Sequence, residues 1–309
     1  MVDSKQQWKA WIYLSPALVL LLIFTVYPIF NTIRLSFLDG YNIFNAIGGQ
    51  QYTVGFGNFK KVLEYQNFLN CMKTTFLLTI ITVPISTMLA LLIAVSLNSI
   101  KFVQKTLQTI FFIPYVTNAI AIGMVFGMMF NIIGIGNQVV SPGIVNVLLG
   151  KIDNPIHWID VNSSYTANIA VMVFYIVWKA LPFKILILIG GLQNISKQYY
   201  DAAKMDSASK WRVLWRITVP LVSPMLAYVI ITSFIGGFKE YTSIVGVFGA
   251  DMGPTGDSGR LNTIVGFIYD AITTGSTGRA SAAALILFVI ILIITLINLQ
   301  ISKKKVHYS

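Results

Sequence analysis

Six long stretches without a charged residue constrain the fold of this chain more than any other feature. They cover residues 10–33, 74–100, 106–150, 161–178, 217–238 and 280–302. A helix needs roughly 20 apolar residues to cross the hydrocarbon core of a bilayer. The sequence therefore predicts an all-α membrane protein with six transmembrane helices.

The composition supports this class and sets the bounds of the spans. Hydrophobic residues make up 56% of the chain and charged residues 11%, whereas about a quarter of a soluble domain is charged. Glycine and proline between Gly134 and Gly143 end the third helix near Asn131. We predict one transmembrane domain, 1–309, with spans at about 11–33, 75–97, 108–131, 165–188, 221–247 and 280–301.

The net charge of +11 is distributed as in a membrane protein. With six spans, lysine and arginine concentrate in the terminal and inner segments, for example at Lys5, Lys101 and Lys210, while the outer loops balance in charge. Positive charge on inner loops marks the cytoplasmic side. We therefore expect both termini in the cytoplasm and membrane lipid, not nucleic acid, around the chain.

Several kinds of chemistry are missing from the sequence. Cys71 is the only cysteine, and cysteine and histidine do not cluster as metal ligands. The phosphate-binding pattern G-x-x-x-x-G-K-[ST] does not occur, so nothing is suited to cradle ATP in that manner. We expect a non-catalytic subunit without a catalytic residue, metal site or cofactor of its own.

The polar segment 194–220 interrupts the apolar chain between two spans. An acidic residue near the start and basic residues near the end favour helix in part of it. Its apolar residues do not gather on one helical face, which predicts two short helices with a turn near residues 207–209.

This segment carries a resemblance to a known family, the binding-protein-dependent ABC importer permeases of the carbohydrate type, similar to the maltose and glycerol-phosphate transporters. Their inner loop has an acidic-Ala-Ala motif, then Asp-Gly-Ala, then a hydrophobic-Pro pair. The chain has Asp201-Ala202-Ala203, Asp206-Ser207-Ala208 and Val219-Pro220. Ser207 replaces the usual glycine, which speaks against a positive φ there.

Other segments extend the resemblance over almost the whole chain. Four stretches of this sequence resemble segments of the family. They are YLSPALVLLLIFTVYPIFNTIRLSF for the opening span, VGFGNFKKVL for the first outer loop, FFIPYVTNAIAIGMVFGMMF for the third span and GRASAAALILFVIILIITL for the last span. The stretch GADMGPTGDSGRLNTIVGFIYDAI resembles the Gly-Gly-Pro loop of the maltose-type half, with Met252 in place of a glycine.

The resemblance implies a type I ABC importer permease fold in a bacterial or archaeal cell membrane. Its implied partners are a second homologous permease, an extracytoplasmic solute-binding protein and two cytoplasmic ATPase subunits, which bind ATP and Mg. Residues 198–208 would form the coupling helix, with ATPase contacts at Asp201, Ala202, Ala203, Asp206, Ser207 and Ala208. The implied substrate is a sugar or oligosaccharide.

Charged residues inside the later spans are candidates for the path of the solute, because charge in hydrocarbon is costly and usually functional. With aromatic residues that suit sugar faces, the lining candidates are Tyr175, Trp178, Lys179, Glu240 and Tyr241. Lys179 has three possible partners: Glu240, cavity water or an anionic group of the substrate. For Lys184 and Lys239, snorkelling toward the inner and outer surface is an equally good explanation.

Alternatives remain at this stage. An ABC permease for another solute, such as glycerol phosphate, has the same inner-loop signature. An ion-driven secondary carrier or a structural scaffold would explain the spans but not that signature.

Overall fold

The computed structural model describes residues 7–100, 104–135 and 138–305. Lys5 and Lys101, on which the expected topology partly depends, lie outside them. Among these described residues, five helices are long and apolar enough to cross a membrane, and a bent helix pair raises the number to six if it counts as one span. These helices are Trp8–Ser36, Gln66–Ser99, Thr109–Val116 with Ala119–Phe130, Tyr165–Gln193, Lys210–Phe238 and Thr277–Lys303.

The helices, in chain order, are α1 (Gln7–Leu21), α2 (Tyr27–Ser36), α3 (Ile43–Ile47), α4 (Gly57–Glu64), α5 (Gln66–Ser99), α6 (Gln104–Val116), α7 (Ala119–Phe130), α8 (Ile144–Leu148), α9 (Tyr165–Gln193), α10 (Lys197–Met205), α11 (Lys210–Val213), α12 (Val219–Phe238), α13 (Thr242–Phe248), α14 (Ile264–Thr273) and α15 (Thr277–Lys305). Strands β1 (Ile133–Ile135) and β2 (Gln138–Ser141) pair in antiparallel orientation.

Within the described ranges, two spanning helices contain a π-helical turn, Leu22–Val26 in the first and Leu214–Thr218 in the fifth. Each turn ends two residues before a proline, Pro28 or Pro220. Proline lacks the N–H that would continue the α-helical bonds, so the ladder widens just before it. Because the second π-helical turn joins α11 to α12, the fifth helix begins at Lys210. The segment 194–220 is therefore largely helical.

The chain divides into two compact units, one of residues up to Leu69 with Gly266–Phe288, the other of Asn70–Val265 with the residues from Val289 onward. In the first unit the loop after α2 is organised by Asn58, which is fully buried. Its amide nitrogen donates to the carbonyl oxygens of Ser36 and Leu38, and its side-chain oxygen accepts from Gly40.

The third span, predicted as one span over about 108–131, consists of two helices with a sharp bend between them. α6 and α7 meet at an angle of 101°. The break has a local cause, since the Asn118 side chain accepts hydrogen bonds from the N–H groups of Ile120 and Ala121. Asparagine in this N-cap role begins a new helix.

The fifth span also ends earlier than predicted, because α12 stops at Phe238 and α13 begins at Thr242. The intervening Glu240 carboxylate accepts from the N–H groups of Tyr241 and Ser243. These groups would otherwise be unpaired at a helix start. The prediction of one helix over 221–247 was wrong for this reason.

Helices α7 and α13 of the second unit pack with almost no space between their backbones. A Cβ atom on Gly123 would lie 2.6 Å from the Cα atom of Gly246, and one on Gly127 would lie 2.8 Å from the carbonyl oxygen of Val247. Glycines four residues apart allow such an approach in membranes. This contact anchors α13 beside the cavity described next.

Candidate functional site

The second unit contains a cavity of about 450 Å³. Residues of α5, α6, α7, α9, α12 and α13 form its wall, together with the joint between α12 and α13. Hydroxyl groups and aromatic rings both line it, and its charged side chains are Lys179, Lys184, Lys239 and Glu240. A largely apolar hollow with a few polar groups has the character of a small-molecule site.

Lys179 of α9 lies in the cavity wall and reaches the break between α12 and α13. Its Nζ atom is 3.7 Å from Oε1 of Glu240 and donates to Oγ of Ser243 at 2.8 Å and to Oγ1 of Thr242 at 3.5 Å. The side chains of Lys179 and Glu240 are 30% and 14% exposed. Of the three partners considered from the sequence, the structure provides Glu240.

The carboxylate of Glu240 therefore has two tasks at once. It holds the first N–H groups of α13 and lies beside the ammonium of Lys179. A charge in the membrane interior costs about 2.5–3.5 kcal/mol on insertion scales, and an opposite charge with hydrogen bonds offsets part of that cost. The ion pair thereby couples α9 to the joint between α12 and α13.

The three aromatic candidates have different positions. Tyr175 borders the cavity but is fully buried, and its hydroxyl donates to the carbonyl oxygen of Ala119 at 2.5 Å. Trp178 is half-buried in the wall, with its ring 5.1 Å from that of Phe126. Tyr241 packs against the neighbouring hydrophobic cluster and is not among the lining residues. Trp178 therefore offers the accessible ring surface.

Lys184 does not snorkel to the inner surface. Only 4% of it is exposed, and its Nζ atom donates to Oγ of Ser86 at 2.6 Å and to Oγ1 of Thr87 at 3.1 Å. Both hydroxyls belong to α5, so this lysine joins α9 to α5 across the cavity wall. Sequence reasoning missed the contact, because no local signal links residues almost 100 positions apart.

The predicted coupling segment forms α10, a turn and α11. Of the two short helices predicted there, only α10 is separate, because α11 continues into the fifth span. The N–H of Ala208 donates to the carbonyl oxygen of Ala203, and the N–H of Ser207 to that of Lys204. These two bonds define a Schellman helix end, whose left-handed position is usually glycine. Ser207 occupies it with a φ of 52°, so the inference from serine against a positive φ was wrong. The cause is the pairing of the last helix carbonyls.

Small and charged side chains surround a groove of about 540 Å³ beside α10. Ala203 is buried, whereas Ala202 and Asp206 are exposed and line the groove with it. Asp201 is exposed and lies 3.5 Å from Nζ of Lys204. The six predicted ATPase contacts thus fall on one short helix and its end, and their role stays a prediction.

The chain belongs to the family of inner membrane components of binding-protein-dependent transport systems, whose model matches residues 86–307. It is therefore a membrane permease subunit of such a system. This membership removes the ion-driven carrier and the scaffold from the alternatives.

Named relatives and solved structures are similar over nearly the full chain. The arabinooligosaccharides transport system permease protein AraP of Bacillus subtilis is 29% identical over 299 residues, covering 94% of this chain and 88% of the relative. The sn-glycerol-3-phosphate transport system permease protein UgpA of Agrobacterium fabrum is 26% identical over 304 residues, covering 97% and 96%. A bacterial alginate ABC transporter, crystallised with an alginate pentasaccharide-bound periplasmic protein, contains a chain with a TM-score of 0.79 at 19% identity, covering 98% and 96%. The last similarity supports the fold.

Proposed function

We propose that this chain forms one half of the membrane path of an ATP-driven importer for a sugar or oligosaccharide. The observation that carries the proposal is the cavity of about 450 Å³, whose wall combines the accessible Trp178 ring with lysine, glutamate and hydroxyl groups. Aromatic faces with a few hydrogen-bonding groups suit a carbohydrate. The relative that bears the name of an arabinooligosaccharide permease supports this class of solute.

The proposed complex contains a second homologous permease, two cytoplasmic ATPase subunits and an extracytoplasmic solute-binding protein. ATP and Mg bind to the ATPase subunits, and both termini of this chain lie in the cytoplasm. The periplasmic protein in the alginate transporter complex supports the outer partner. The exposed face of α10 supports the inner one, since Asp201 and Asp206 can accept charge-assisted hydrogen bonds from basic groups.

In the proposed mechanism, the solute passes from the binding protein into the cavity while ATP binding closes the ATPase subunits. Movement of α10 then reaches the spans through the continuous helix Lys210–Phe238. The joint that follows this helix holds Glu240, the partner of Lys179. Inner motion is therefore linked to the cavity wall by one helix and one ion pair.

The test compares the isolated chain with the assembled importer, obtained by co-expression with the proposed second permease, ATPase subunits and binding protein from the same organism. We expect no ATP hydrolysis by the isolated chain, and sugar-dependent hydrolysis and uptake by the complex in lipid vesicles. Turnover by the isolated chain, or uptake that persists without ATP, would contradict the proposal.

A further inference from the structure

The cavity carries more positive than negative charge. Three lysines and one glutamate line it, and Lys179 is paired with Glu240. For Lys184 and Lys239, no carboxylate of the described residues lies within ion-pair distance. The excess charge is thus assigned to these two side chains, at two places in the wall.

Lys184 is the more informative of the two because it is buried. Its contacts are the hydroxyl oxygens of Ser86 and Thr87, which accept hydrogen bonds but carry no charge. The Ser86 hydroxyl also donates to the backbone carbonyl of Thr82, so it is held in place as an acceptor. An ammonium has three donors, and the two hydroxyls leave one donor for a group that enters the cavity.

Lys239 has a different setting, at the end of α12. It is exposed and lines the same cavity. Its flexible stem lets the ammonium follow a solute, whereas Lys184 is fixed by its hydroxyl partners. One fixed and one mobile cation in a single wall are suited to a solute that carries an anionic group.

We propose that the cavity takes an anionic carbohydrate, a sugar bearing a carboxylate or a phosphate, whose charged group is held by Lys184 and Lys239. This inference rests on the proposed sugar-import function and specifies its substrate class. Buried charges in proteins are paired, and an anionic solute supplies the charge that the described part of the chain lacks at Lys184. Lys179 does not select the anion, because Glu240 already neutralises it.

The first experiment measures the charge of the cavity without knowledge of the solute. In the assembled importer, a cysteine replaces the cavity-lining Ser233, and the mass of this chain reports its modification by an anionic or a cationic methanethiosulfonate. The parent chain gives the background, since its single cysteine, Cys71, is buried. The measured quantity is the ratio of the anionic to the cationic modification rate. We expect this ratio to be about tenfold higher for the cavity cysteine than for a free thiol, because a cleft of one charge concentrates the opposite ion.

Variants assign this preference to the two lysines. Lys239→Gln and Lys184→Met should each lower the preference several-fold, while Lys151→Gln, an exposed change away from the cavity, should leave it unchanged. Lys239→Gln alters an exposed side chain, so it remains informative if Lys184→Met assembles poorly. The proposal would be overturned if the ratio of anionic to cationic modification equals that of the free thiol, or if Lys239→Gln leaves this ratio unchanged.

The second experiment tests protection of the same cysteine by three sugars: digalacturonate, glucose 6-phosphate and neutral galactobiose. Protection by digalacturonate identifies the anionic group as a carboxylate, and protection by glucose 6-phosphate identifies it as a phosphate. The effective anion should protect at a concentration roughly 10- to 100-fold lower than galactobiose requires, the range for a charge-assisted hydrogen bond. Galactobiose protecting as well as either anion would overturn the anionic solute but leave sugar import standing. Failure of all three to protect would count against both.

Discussion

Replacing Ser207 with glycine is expected to stabilise the protein, whereas the same replacement at Met252 is expected to destabilise it. These are the two non-glycine positions with positive φ among the described residues, at 52° and 46°. Both also stand where the related permeases are expected to have glycine. The same backbone conformation therefore occurs in two different surroundings.

The surroundings determine the sign of each effect. A left-handed conformation costs an L-residue about 1–2 kcal/mol, and glycine removes that cost but adds roughly 0.5–1 kcal/mol of chain entropy to the unfolded state. Ser207 is exposed and loses little else, so the gain is about 0.5–1 kcal/mol. Met252 is 3% exposed within the core cluster of the second unit. Truncating it costs about 2–5 kcal/mol, which outweighs the relief.

The single cysteine provides the assay. Cys71 is 3% exposed, so a thiol-reactive fluorophore labels it when the second unit unfolds on heating. For a unit of the size of the second one, ~1 kcal/mol corresponds to a shift in Tm of about 2–4 °C. We expect Ser207→Gly to raise Tm by about 2 °C and Met252→Gly to lower it by more than about 4 °C, in the same detergent.

The control is Ser207→Ala, which removes the hydroxyl but keeps the strained conformation. Its Tm should stay within about 1 °C of the parent chain, since exposed substitutions of this kind have small effects. If Ser207→Gly lowers Tm, or if Ser207→Ala raises it equally, the left-handed backbone is not the source of the effect.

Three further predictions concern helix packing, the ion pair and coupling. Gly123→Ala should cost about 1–3 kcal/mol of stability and lower Tm, because its Cβ would lie 2.6 Å from a backbone atom of α13. The control Gly190→Ala should not lower Tm, because no atom lies within 4 Å of the added Cβ. Equal Tm values for the two variants would refute the close packing. Lys179→Met should reduce the yield of assembled complex, because an unpaired Glu240 carboxylate costs about 1–3 kcal/mol for a partly exposed pair. The double variant with Glu240→Gln should recover most of the lost yield. If the losses of the two single variants simply add in the double variant, the pair is not coupled. Asp201→Lys should reduce the stimulation of ATPase activity by loaded binding protein in vesicles without changing the Tm, and full stimulation would remove Asp201 from the coupling contacts.

The number and type of spans could be predicted from the sequence because the bilayer acts on each run separately. An uncharged run of some 20 residues must satisfy its backbone hydrogen bonds internally, whatever its neighbours are. The breaks inside the spans were harder to predict. Asn118 and Glu240 each interrupt a helix, because one side chain caps the start of the next helix. A hydropathy value averaged over a whole run does not register such a single polar residue.

The candidate site was predictable in part for a related reason. Charge at Lys179 and Glu240 is visible in the sequence because it is rare in a span, but their pairing depends on the tertiary approach of α9 to the joint after α12. The hydroxyl partners of Lys184 on α5 carry no such signal, since serine and threonine are common in membrane helices. The left-handed Ser207 shows the opposite limit, where a helix end overrides the preference of the residue.

The first membrane helix, Trp8–Ser36, differs from the other spans in what restrains its sequence. None of its most apolar 18-residue window is buried within the chain, so few intramolecular neighbours dictate the shape of any side chain there. Hydrophobicity alone is then sufficient to keep the helix inserted, so exchanging one apolar residue for another there should cost little. The glycines of α7, confined by backbone contacts, lack that freedom.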